Sequence, residues 1–496
     1  MQVRFAHEIG LMPSELRGMG RVATLILGLV LIALAPVASA QRLHKYRVSV
    51  DEDLAALHVH ACFAGQAPQR LVAESLDASL AIDHAHREGA NKTIEPNGTE
   101  LRLPAMSDSA CIEYSVNLTE FAGRHQRGGN PTRRIGSDLI TDVGLWFWRP
   151  EALSEDEDIE VAFALPSGIA VSTPWQHADA PGPVYRVGHS SYEWPGTVAF
   201  GRFTEHAVAV PGGRLLVAIL DGRPKVDEAQ VLDWLRGAAA AVTRLYGRFP
   251  VASLQVVVVP GARSNTPVPS AYVLRGGGPA AHFFINQRRP TEEFRADWSA
   301  VHELSHLLLP YVHSEDAWLS EGVASYYQSV LLARAGVIGT QEAWQSMHAA
   351  FEHARRELGT GTLVDATERM YRNGRFMRVY WEGAAIMLLA DQRLRARGSS
   401  LDAVLDELQR CCLSPDIGWH AADLMRRLDW LAGGSEFADL YEEQVKSDAF
   451  PDLSEVYRQF GLQVDDGGRV TFGESAPQRA QRDAIMRGVV SESSPR

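Results

Sequence analysis

The sequence predicts an α+β chain of several domains: a β-sandwich-like N-terminal region, a mixed central region and a helical C-terminal region. Three observations carry this. Short alternating runs such as YRVSV and IEVAFALP, broken by Gly, Pro and Asn, fill residues 46–217. An apolar-periodic stretch from Val226 to Tyr246 leads into the strand-like SLQVVVVP. From Ala343 to Phe460 the three- and four-residue spacing of helices dominates. The expected divisions are 1–40, 41–217, 218–342, 343–473 and a polar, loose tail over 474–496.

The first division reads as an export signal. Val22 to Ala35 is a short apolar run preceded by Arg17 and Arg21, and Ala38-Ser39-Ala40 offers the small residues that precede signal-peptidase cleavage. The run is short for a bilayer-spanning helix, so no stable span is expected after cleavage. Met19 is an alternative start. The destination is periplasmic or extracellular, where Cys62 and Cys111 can pair. Cys411 and Cys412 are adjacent, and a vicinal bridge is strained, so both are expected to be free.

The central region carries the chemistry. Val301 to His306 reads VHELSH, an H-E-x-x-H pattern. Four residues of α-helix turn through roughly 400°, which brings His302 and His306 onto one face about 6 Å apart along the axis. Two imidazoles can then grip one ion. Glu303 lies about 100° around the helix, outside that ligand row but within reach of a water beside the ion, which suits a general base. The helix is expected from Thr291 to Leu309, with Phe294, Trp298, Val301, Leu304 and Leu308 on its apolar face and Pro310 ending it.

A second helix is expected from Trp318 to Gly336, with Glu321 in its first turn facing the histidines as the third ligand of one Zn2+. Three protein ligands leave a fourth position open, the arrangement of catalytic zinc. As ordinary residues, the histidines would be packed core groups and Glu321 a carboxylate near a helix N-terminus. That reading leaves the joint pattern unexplained. The metzincin pattern would need Gly and His where Leu309 and Val312 stand.

HELSH, then WLSEGVASYY, then VYWEGAAIMLLADQRLR from Val379, together resemble the gluzincin metallopeptidases, most closely the glycyl aminopeptidase family. The resemblance implies a thermolysin-like catalytic domain over 218–342, zinc on His302, His306 and Glu321, and Glu303 as base. It also implies that Tyr380, opening a Y-x-x-G step with Gly383, donates to the oxyanion. The reaction implied is peptide-bond hydrolysis, in an aminopeptidase mode. Three departures stand out. Only 14 residues separate His306 from Glu321, fewer than in the aminopeptidase relatives. The Gly-rich stretch RGGGPAAHFFIN lacks the acid that holds a peptide's free α-amine. Too little chain follows Leu462 for the PDZ module common in the family.

Gly276, Gly277 and Gly278 are candidate substrate-binding residues: they suggest a turn feeding an edge strand, His282 to Ile285, that could align a peptide by β-addition. A hairpin turn ahead of a buried strand fits the same residues equally well. A net charge of −13 with no basic run argues against nucleic acid as a partner. The rival reading is a secreted binding or scaffold protein with an inactive zinc site.

Overall fold

The computed structural model describes residues 41–123, 132–189, 194–412 and 417–488. The expected signal segment and the last eight residues of the expected tail lie outside them. The N-terminal region is built on a seven-stranded sheet whose inner strands are Val184–Arg186, Glu157–Ala164, Arg42–Val50, Ala56–Cys62 and Cys111–Asn117. Side chains alternate across a pleated strand, and these strands obey it. Tyr46, Val48, Leu57, Val59, Ile112 and Tyr114 are buried in one core, while His58, His60, Glu113 and Ser115 point outward. Cys62 and Cys111 are directly paired across two of these strands and joined as a disulfide.

The mixed region is a five-stranded sheet in the order Glu205–Val210, Gly213–Ile219, Ser253–Pro260, Ala280–Ile285, Ser270–Leu274. Its hairpin of residues 205–219 lies on the other side of the expected boundary at 217. The reason is pairing: Arg214–Ile219 run parallel to Ser253–Val258, and the helix Glu228–Thr243 is the crossover that parallel strands require. Ser253–Pro260 is buried almost throughout because both faces are covered. Val256 and Val258 belong to the same core as the crossover helix, whereas Val257 and Val259 share a smaller core with Ile140 and Ala199 of the N-terminal strands.

Of the two readings of the stretch after the glycines, the buried strand holds: Ala280–Ile285 is interior, and the edge is Ser270–Leu274, paired to it by the hairpin through Gly276–Gly278. His282, fully buried on the interior strand, pairs with Thr197 Oγ1 at 2.6 Å, and burial pushes its pKa down to about 3. It is a neutral packing residue.

Helices dominate from Ala317 onward. The helix Ala317–Arg334 crosses Phe376–Ala396 at Gly322 and Gly383. A Cβ on Gly322 would come within 2.5 Å of the Gly383 carbonyl carbon, and one on Gly383 would stand 2.9 Å from the Gly322 Cα and run into the Trp318 carbonyl. The tail is not loose where described. Ala476–Met486 form a helix that buries Ile485 and Met486, and Arg334 Nε donates to the Ile485 carbonyl at 2.8 Å. Arg482, one turn before Ile485 and Met486 on the same face, is also buried and donates to the Phe460 and Gly473 carbonyls, which fixes the docking. Cys411 and Cys412 are joined rather than free. The helix Leu401–Cys411 ends between them and Cys412 has left helical conformation, so the side chains no longer diverge as they would along a continuous helix.

Gly383→Ala is expected to lower unfolding free energy by about 1–3 kcal/mol through overpacking, measured by denaturant unfolding, whereas Gly374→Ala, with open space at its Cβ, tests only the local backbone. Equal losses would show that the crossing is slack.

Candidate active site

The expected helix from Thr291 to Leu309 is two helices, Thr291–Ala296 and Ser299–Ser305, followed by a tighter turn over His306–Leu308. Asp297 is extended between them, and its carboxylate accepts from the Ser299 N–H at 2.9 Å, restarting the helix with a local cap. Leu309 is extended ahead of Pro310. Every residue from Ser299 to Ser305 is buried. Arg275, from the hairpin, donates to the His306 and Leu309 carbonyls at 2.9 and 3.2 Å and so satisfies the end of this segment. Burial lowers the Arg275 pKa to about 10.

The structure brings His302, His306, Glu303, Glu321 and Tyr380 into one cleft of about 610 Å³. Glu321 enters from the fifth residue of the helix Ala317–Arg334, one step past the expected first turn. Its Oε2 lies 3.3 Å from His302 Nε2 and 3.6 Å from His306 Nε2. Both histidines are turned by their other nitrogen. His302 Nδ1 meets Gln328 Oε1 at 2.8 Å, and His306 Nδ1 meets Ser320 Oγ at 2.8 Å. With Nδ1–H donating to Gln328 Oε1, the His302 Nε2 lone pair faces the shared point. The ring of Tyr380 stacks on His302 at 5.8 Å between centroids, and its side chain lines the same cleft as Glu321.

Do these residues fit zinc? The ligand atoms of His302, His306 and Glu321 all lie within 4.8 Å of one another. Two neutral imidazoles and one carboxylate are a borderline-soft donor set that zinc accepts, and Gln328 and Ser320 supply the outer support such ligands use. The fit is good for one ion.

Electrostatics separates the two carboxylates. Burial pushes Glu303 up to about 7, with the nearby Glu321 charge adding to the shift and His302 opposing it. For Glu321 burial also pushes upward, but the two histidines outweigh it and hold it below the usual range. Burial lowers His306 to about 4. His302 is held above its ordinary value despite burial, by Glu321 and Glu303. Tyr380 is raised by burial and by both carboxylates, so its hydroxyl keeps its proton.

Gly276, Gly277 and Gly278 do not line this cleft. A side chain at any of them would collide with N-terminal residues: Trp194 and Pro195 at Gly276, Trp175 at Gly277, Pro174 at Gly278. They are glycines because the hairpin is pressed against that region. The strand that does line the cleft is Ser270–Leu274, which sequence reasoning passed over although it lies between Pro269 and the glycines. Gln328 was also missed; its spacing of seven from Glu321, two helical turns on the same face, was the available signal.

Residues 286–385 match the M61 glycyl aminopeptidase family. No curated protein matches the chain. Among solved structures, an aminopeptidase N family protein from Idiomarina loihiensis shares the fold with a TM-score of 0.65 at 14% identity, over 87% of this chain and 82% of that one. The M1 zinc metallopeptidase of Deinococcus radiodurans shares it with a TM-score of 0.52 at 15% identity, over 83% and 94%. A variant of the Deinococcus enzyme, bound to a Tyr-Ser-Ala substrate, has a TM-score of 0.52 at 14% identity, over 83% and 95%. The matched segment supports a zinc metallopeptidase, a hydrolase, and the chain is similar to the gluzincin class. Within it the chain resembles the glycyl aminopeptidases.

Gln328→Leu is expected to weaken zinc binding about 10- to 100-fold, measured by competition with a chromophoric chelator; unchanged affinity would remove Gln328 as the support of His302.

Proposed function

We propose that this protein is an exported peptidase that cleaves peptide bonds with Glu303 as general base and Tyr380 as oxyanion donor. The observation that carries this is a buried carboxylate, Glu303, in the same cleft as the ligand trio but not part of it. Zinc bound by His302, His306 and Glu321 supplies Lewis-acid polarisation and acidifies water. Glu303, with its pKa near 7, is matched to accept a proton from the attacking water at neutral pH. As the water oxygen bonds to the carbonyl carbon, the Tyr380 O–H donates to the carbonyl oxygen, which is gaining charge. Glu303 then passes its proton to the leaving amine as the C–N bond breaks.

Ser270–Leu274 is the terminal strand of its sheet and forms a wall of the cleft, so an extended peptide can add to its free edge. Tyr371 and Phe376 face it from the helical side as apolar contacts for a side chain. Among the described lining residues the carboxylates are Glu303 and Glu321, both already committed. Nothing else there balances an α-ammonium, so we infer that cleavage does not depend on a free N-terminus. Export is supported by the apolar run from Val22 and by the Cys62–Cys111 disulfide. Among the described residues no helix is long and apolar enough to cross a membrane.

The direct experiment is incubation with a peptide library with and without chelator: chelator-sensitive cleavage is expected, and its absence would favour the inactive scaffold. Glu303→Gln should retain zinc while turnover falls about 10²- to 10⁴-fold. Tyr380→Phe should lower kcat about 10²-fold or more with a smaller change in KM. Wild-type turnover in either variant removes that residue from the mechanism. N-acetylated and free peptides of one sequence should be cut with similar kcat/KM; a loss of more than tenfold on acetylation would establish an aminopeptidase.

A further inference from the structure

We propose that the outer face of the seven-stranded sheet carries a second divalent transition-metal site, formed by His60, Glu88 and Glu113 with His86 beside them. Strand register builds it. Glu113 stands opposite His60 on one neighbouring strand and opposite His86 on the other, so the three side chains rise in one row. Each oxygen of Glu113 faces a different imidazole: Oε1 lies 4.0 Å from His60 Nε2, and Oε2 lies 3.3 Å from His86 Nε2. Glu88, just past the strand Ile82–Arg87, brings Oε1 to 3.6 Å from His60 Nε2. The donor atoms of His60, Glu88 and Glu113 all lie within 4.8 Å of one another.

The setting of His86 goes beyond ordinary cross-strand pairing. Its Nδ1 is 2.6 Å from the His84 carbonyl and must donate there, which leaves a lone pair on Nε2 of the neutral ring. That lone pair confronts a carboxylate oxygen, a repulsive arrangement that a proton or a metal ion between them relieves. The strand is bent to make this contact: its register shifts between Asp83 and His86, and His84 adopts a positive φ of 54°. Imidazole nitrogens mixed with carboxylates select zinc, copper or nickel over calcium or magnesium. The site opens onto a groove of about 290 Å³, and none of its residues lines the catalytic cleft. Arg47, opposite His60 on the next strand, also lines the groove, and its charge sets an affinity weaker than that of the buried trio.

To test this, the full chain is stripped with chelator, re-equilibrated with zinc chloride and its bound zinc counted by elemental analysis. A non-reducing buffer keeps Cys62 and Cys111 joined, so their sulfurs, which also neighbour His60, contribute no thiolate. The wild type is expected to hold two equivalents. His302→Ala with His306→Ala should hold one, and His60→Ala with Glu113→Gln should hold one with unchanged peptidase turnover. His60 and Glu113 are 35% and 45% exposed, so that variant is expected to fold, which circular dichroism checks. A count that the outer substitutions do not lower overturns the second site. A count that the His302 and His306 substitutions do not lower overturns instead the catalytic metal reading.

Discussion

Two helix backbones touching at Gly322 and Gly383 set the geometry on which the cleft depends. Glu321 immediately precedes one glycine, and Tyr380 lies one turn before the other. Because neither glycine has a side chain, the helices approach closely, and the Tyr380 ring lies along His302 with Glu321 near enough to raise the pKa of its hydroxyl. The glycine of the Y-x-x-G step thus has a mechanical meaning. It sets how far the phenol stands from the ligand carboxylate, a distance that no single helix could fix.

The electrostatics follow from the same closeness. Three titratable candidate ligands and a second carboxylate share a buried volume, where unbalanced charge is costly. Glu321 is stabilised as a carboxylate by two imidazoles, whereas Glu303, one residue from His302 yet on another side of the helix, gains little compensation. Identical side chains therefore acquire different chemistry from position alone. Gln328 and Ser320 fix the outer nitrogens of the two histidines.

Much of this was legible in the sequence. The H-E-x-x-H spacing, the second helix and the strand SLQVVVVP are local patterns, and periodicity exposes them. The division at 217 failed because a parallel pairing between Arg214–Ile219 and Ser253–Val258 is a long-range event with no local mark. Gly276–Gly278 fit a substrate turn and a packed hairpin equally because flexibility and close packing leave the same trace in sequence. Only the positions of Trp175, Trp194 and Pro195 distinguish them. The terminal stretch Ala476–Met486 reads as polar, yet Ile485 and Met486 are buried and Arg334 and Arg482 tie the helix down through backbone carbonyls.

The hairpin turn, Arg275 to Gly278, is gripped from two sides, with its glycines pressed against the N-terminal region and its arginine tied to the motif segment. The N-terminal half is therefore more than a carrier. It acts as the jig that holds one jaw of the cleft, so a shift of the residues around Trp175 and Trp194 would displace the wall Ser270–Leu274 without touching His302, His306 or Glu321.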